Sequence, residues 1–172
     1  MKIRFLNLLV EFLAGTPVEY VAFKPLIVLL RKLCVTLVAL AIHCHPKGLW
    51  KDFLKELFSV FDPTQSNVIP ESMQTFASIT GNVPLWKRCM FLMELWKSFA
   101  DEFAALARVL SPQQRAALED EIRSFSPTVL QFCEYLLRLE PASVDVSVDI
   151  ELLKLSALRC ITSWINYGTR LE

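Results

Sequence analysis

Glycine is scarce, with only 4 in 172 residues. An all-β chain needs turn punctuation at every hairpin, and this sequence does not supply it. Charge of one sign is also missing. Lysine plus arginine number 18 and aspartate plus glutamate 18. A dominant nucleic-acid surface is therefore not expected. A long charge-free apolar run is absent too. The stretch from Leu26 to Ile42 is broken by Arg31 and Lys32. The remainder, Leu33 to Ile42, is about 15 Å of helix at roughly 1.5 Å per residue. A bilayer core is about 30 Å thick, so membrane insertion is not expected.

Catalytic signatures are lacking. There is no glycine-rich phosphate loop, no GxSxG and no HExxH, so neither an enzyme nor a cofactor is expected. The compact group His43-Cys44-His45-Pro46 has no second ligand cluster at a zinc-type spacing. It reads as a helix C-terminus, where histidine suits the helix dipole, and no metal is assigned. Glu119-Asp120-Glu121 reads as an exposed helix face, not as paired catalytic carboxylates.

What is present is grease at helical spacing. Hydrophobic residues make up 53% of the chain against 21% charged, enough for a sizeable core. The five cysteines are odd in number and irregularly placed. They read as buried free thiols in a reducing compartment. The periodicity predicts helices over 2–13, ending at Gly15 and Pro17, and from 19 or 25 to about 43. Further helices are expected over 50–61, 84–99 with a turn or two beyond, and 112–125. Ser126-Pro127 is then a kink or a fresh start toward 139, and a last helix covers 148–167. A short helix over 70–79 is also predicted. Ser111-Pro112-Gln113-Gln114 carries a capping box with proline at the first helical position.

Two kinds of helix alternate. Those near 25–43 and 84–99 are apolar on several sides. The 50–61 helix has one stripe, Trp50, Phe53, Leu54, Leu57, Phe58 and Phe61, and one polar face. A two-layer stack of helix pairs satisfies both patterns: one layer is buried on several sides and the other keeps a polar, concave face. The fold expected is all-α, an α-α superhelix of the HEAT or armadillo-like solenoid kind with about three helix pairs. A closed helical bundle is the competing architecture. A weak repeat supports the solenoid: a basic residue precedes Cys34, Cys89 and Cys160, with apolar residues after each. Those positions lie wider apart than the roughly 40–47 residues of such a repeat, so insertions must separate them.

Four segments, PLIVLLRKLCVTLVAL (25–40), 50–61, SPTVLQFCEYLL (126–137) and LKLSALRCITSWINY (153–167), carry a resemblance. The chain resembles the importin-β (karyopherin-β) superfamily of nuclear transport receptors, most of all its importin-thirteen and transportin-SR branch. The resemblance makes 2–13 the second helix of one repeat, and 25–43 with 50–61 the next pair. The 84–99 helix and 112–139 form another pair, and 148–167 opens a further one. Family members are several times longer. The resemblance therefore implies that 1–172 is a single solenoid segment, an internal piece from the N-terminal third, incomplete at both ends. Exposed terminal helices would then favour self-association.

By resemblance, the partners are the GTPase Ran in its GTP state, cargo protein, and phenylalanine-glycine nucleoporins, and the location is cytoplasm and nucleus. The candidate concave face is Lys51, Asp52, Lys55, Glu56 and Ser59, joined by Arg115 and Glu119. The alternative is a HEAT or armadillo-like protein-interaction adaptor unrelated to transport, sharing the solenoid without the Ran surface. A compact membrane-associated bundle is a third class.

Overall fold

A computed structural model describes residues 24–61, 85–140 and 150–168, together with Leu8, Glu11, Phe12 and Gly15. The side chains of 24–27, 59–60 and 85 lie outside that description. The fold is all-α. Five helices follow in order: α1 (Lys24–Cys44), α2 (Phe53–Phe61), α3 (Leu85–Leu106), α4 (Pro112–Leu137) and α5 (Ile150–Gly168). Short 3-10 turns at His45–Lys47 and Ala107–Val109 end α1 and α3. No strand occurs among the described residues.

Two layers account for the packing. Helix α3 lies between α1 and α5, while α2 and α4 cover the other side and touch each other. The order of contacts gives the directions. Met90 meets Ser156, Trp96 meets Trp164 and Phe103 meets Tyr167, so α3 and α5 run parallel. Met93 meets Cys133, while Trp96 meets both Phe125 and Phe132, so α4 returns antiparallel to α3. Antiparallel pairs whose equivalent helices lie side by side are the unit of a helical-repeat superhelix.

Burial follows the two sequence patterns. In α3 the run Cys89 to Met93 is buried without a break, as are Leu95, Trp96, Phe99 and Phe103. Such a helix has neighbours on several sides. In α4 the buried residues are Leu118, Ile122, Phe125, Val129, Phe132, Cys133 and Leu136, one stripe at helical spacing. Helix α2 buries Phe53, Leu54, Leu57 and Phe61 in the same way. At the centre, Phe58 lies 5.5 Å from Trp96, 5.9 Å from Phe125 and 5.8 Å from Phe132. One ring thus joins α2, α3 and α4. Trp164 Nε1 donates to the Trp96 carbonyl at 3.1 Å and ties α5 to α3.

The sequence-predicted capping box is present. Gln114 N donates to Ser111 Oγ at 3.3 Å, and Ser111 N donates to Gln114 Oε1 at 3.0 Å. Elsewhere the boundaries shift. The helix expected from 50 begins at Phe53, because residues 49–52 form bends. Pro127 makes no fresh start; α4 runs through it. The ring removes one donor. Ser126 Oγ donates to the Ile122 carbonyl at 3.1 Å in the same turn, and the buried stripe continues on both sides. Of the predicted 2–13 helix, Leu8, Glu11 and Phe12 are described and helical, and Gly15 is helical as well. The predicted 70–79 helix lies outside the described residues.

By length and composition alone, Val28–Lys47 would suffice to cross a membrane. Within the fold, Cys34, Leu37, Val38, Ala41 and Ile42 of that span are buried in the core shared with α2 to α5. Arg31 also lies 3.9 Å from both Glu94 and Asp101 of α3, an ion-pair fringe along one edge of the α1–α3 contact.

Candidate partner-binding surface

The polar faces of α2 and α4 lie on the same layer, opposite the α1–α3–α5 sheet of helices. Lys51 and Asp52 sit in the bend before α2, and Lys55 lies one turn in; all three are exposed. Helix α2 buries only its apolar stripe, so these side chains remain outside. The side chain of Ser59 lies outside the described residues.

Glu56 serves the fold. Its carboxylate accepts from Trp50 Nε1 at 2.8 Å, and its backbone N donates to the Asp52 carbonyl at 2.8 Å. Trp50 is buried and packs edge-on to Phe53 at 5.9 Å. Glu56 therefore satisfies a buried indole donor and closes the first turn of α2, which removes it from the freely presented face.

Arg115 Nε donates to Glu119 Oε1 at 2.8 Å, one turn apart on α4. Glu119 also faces the end of α5, where Tyr167 is held up to about 12 by burial and then by Glu119, with Arg115 and Arg123 opposing. Arg115 and Glu119 thus lie on the α5 side of α4. The structure brings Asp52 and Glu56 together with a residue that the sequence reading left on an exposed face, Glu121.

Glu121 and Glu119 are half-buried, and only Asp120 of the acidic run is exposed. His45 Nε2 lies 2.8 Å from Glu121 Oε2, joining the turn after α1 to α4. Burial pushes the Glu121 carboxyl up to about 7, and Asp52 and Glu56 push it the same way. Burial also lowers His45, with Lys51 adding and Asp52 opposing. Both shifts favour one neutral arrangement, in which a protonated Glu121 donates to a neutral imidazole. Along α4, Glu121 is flanked at three and four residues by Leu118 and Phe125, both on the buried stripe, but its partner His45 is distant in sequence. His43 is engaged separately, with Lys47 Nζ 2.9 Å from its Nε2. The two neighbouring histidines thus have different partners. Among the described residues, no group of three or more His, Cys, Asp or Glu could hold a metal ion.

The surface carries two exposed lysines, one exposed carboxylate and a half-buried Arg115–Glu119 pair, on α2, the bend before it and α4. No curated protein and no solved structure matches the chain. A model of the exportin 1-like protein family matches residues 27–169, a span that takes in all of α2 to α5 and nearly all of α1. With its stacked antiparallel helix pairs, the chain belongs to the exportin 1-like protein family, and so to the nuclear transport receptors of the importin-β and exportin superfamily.

Proposed function

We propose that the chain is a Ran-binding and cargo-carrying segment of a nuclear transport receptor of the importin-thirteen and transportin-SR kind. The observation that carries the reading is the placement of Lys51, Asp52 and Lys55, exposed on the α2–α4 layer of a chain in the exportin 1-like family. The α2–α4 layer is the concave face in this reading. GTP-loaded Ran seats on it, with Lys51 and Lys55 facing acidic groups of the GTPase and Arg115 at the edge. Cargo and phenylalanine-glycine nucleoporins are the further partners, and the receptor works in both nucleus and cytoplasm.

The test is binding of the purified chain to Ran loaded with a GTP analogue, with GDP-loaded Ran as control. Nucleotide-dependent binding is expected. Lys51→Glu with Lys55→Glu should weaken it at least about tenfold, since reversing two interfacial charges sets like charges together. The far-ultraviolet circular dichroism should not change, because both side chains are outside the core. Absence of binding by the folded chain would instead favour a helical-repeat adaptor without a Ran surface.

A further inference from the structure

Two thiols meet in the core where α4 faces α5. Cys133 of α4 and Cys160 of α5 are both fully buried, and both are free. They belong to a chain of sulfurs that crosses three helices. The Cys160 thiol donates to Cys133 Sγ. The Cys133 thiol donates in turn to Met93 Sδ of α3 at 3.7 Å. One turn beyond Cys160, the hydrogen bond from Trp164 to the Trp96 carbonyl holds α5 in this register.

Two buried thiols in contact can do what a lone one cannot, which is to become a disulfide. That product is neutral and apolar and suits this core, whereas a metal thiolate would bury charge. The hydrogen bond assigns the roles. It lowers the Cys133 thiol below its usual range, against the opposing effect of burial. The same bond, and then burial, push the Cys160 thiol up. The thiolate is the reactive form, so Cys133 reacts first and Cys160 second. Because both side chains are fully buried, the oxidant must be small and uncharged, entering by local opening of the helices. Hydrogen peroxide is such an oxidant.

We propose that Cys133 and Cys160 are a peroxide-oxidised thiol pair whose disulfide clamps α4 to α5, and with them one layer of the superhelix to the other. Cys133 Sγ attacks one peroxide oxygen and the O–O bond breaks. The Cys133 proton joins the departing hydroxide as water, leaving a sulfenic acid. Cys160 Sγ then attacks Cys133 Sγ. The S–S bond forms, the S–O bond breaks, and the Cys160 proton leaves with the hydroxyl as a second water. The two thiols lose two electrons, and one peroxide becomes two waters. An added dithiol reverses the bond. The pair lies in the core, apart from the proposed Ran surface, so either reading can fail without the other.

The test treats the folded chain with hydrogen peroxide, removes the excess with catalase, and blocks the remaining thiols in denaturant. A tryptic digest without reduction is then mapped by mass spectrometry. Residues 124–138 joined to 160–170, each with one cysteine, is the expected product, lost on treatment with dithiothreitol. Cys133→Ala should leave Cys160 a thiol, and Cys160→Ala should let dimedone trap a sulfenic acid at Cys133. Circular dichroism checks that both variants fold. In urea, the oxidised wild type should unfold with an equilibrium constant about thirtyfold smaller than the reduced. Separate oxidation of the two peptides overturns the proposal, whatever the variants do. So does a cross-link through Cys34, Cys44 or Cys89 instead, or one that forms only in denaturant. An oxidised chain no more resistant to urea than the reduced one overturns the clamp.

Discussion

Trp96→Ala is expected to lower the free energy of unfolding by about 3–5 kcal/mol, the range for losing a large buried ring. Single domains are commonly stable by only about 5–15 kcal/mol. The loss is therefore a large fraction of the stability such a domain has. The reason lies in what Trp96 touches. Its indole is fully buried and meets Phe58 of α2 and Phe125 and Phe132 of α4 at 5.5 to 5.9 Å. Trp96 is thus where α3 meets both helices of the other layer. Trp96→Phe separates the ring from its donor. The indole Nε1 is buried with no hydrogen-bond partner among the described residues. Phenylalanine removes that unsatisfied group while keeping an aromatic ring. Its cost should be less than half that of alanine. Urea unfolding of the three proteins measures both effects. A Trp96→Ala cost below about 1 kcal/mol would place this ring outside the central packing.

The second large effect is a pH dependence carried by Glu121. Its folded carboxyl holds a proton up to about pH 7, against 4.5 for an ordinary one. The folded chain binds that proton more tightly than the unfolded chain. The resulting stability is complete below about pH 4.5 and is lost as pH rises to about 7. His45 acts the other way. Its folded value lies below 6.5, so a cost appears as pH falls through 6.5. Lys51, Asp52 and Glu56 are the other charged groups that act on this pair. In Glu121→Gln the alkaline loss should disappear. From about pH 5 to 7.5, wild type should lose on the order of 2 kcal/mol relative to the variant. Thermal or urea unfolding of both proteins over that range checks the sign. If wild type gains on the variant as pH rises, Glu121 is ionised and paired with a protonated His45.

These two residues show where the sequence was legible and where it was not. Trp96 lies in an apolar helix, and its burial followed from periodicity. The two-layer packing also followed, because an all-round apolar helix must be covered on several sides and a one-stripe helix on one. The Ser111–Gln114 capping box was legible because all its parts lie within one turn. Glu121 was not. Its burial depends on His45, far away in sequence and brought over by the turn after α1. Glu56 was misplaced for a similar reason: its charge suggested an outward face, but its partner is the Trp50 indole six residues earlier. Trp50 was expected to begin α2, whereas it precedes the helix and packs beneath the first turn through that hydrogen bond. Pro127 left two options open, and the unbroken buried stripe of α4 selected the continuous helix. Of the surface residues, Lys55 is exposed on α2 opposite its buried stripe, whereas Lys51 and Asp52 are exposed in the bend before it.

The most direct measurement is hydrogen–deuterium exchange of the chain alone and with GTP-loaded Ran. The α2–α4 layer should gain protection at residues 50–58 and 112–121. Those two segments carry the exposed lysines and the Arg115–Glu119 pair. The α1–α3–α5 layer should change little, because its amides already lie in packed helices on the far side. Protection confined to α1 or α5, or none at all under conditions where Ran is bound, would contradict a Ran surface on α2 and α4.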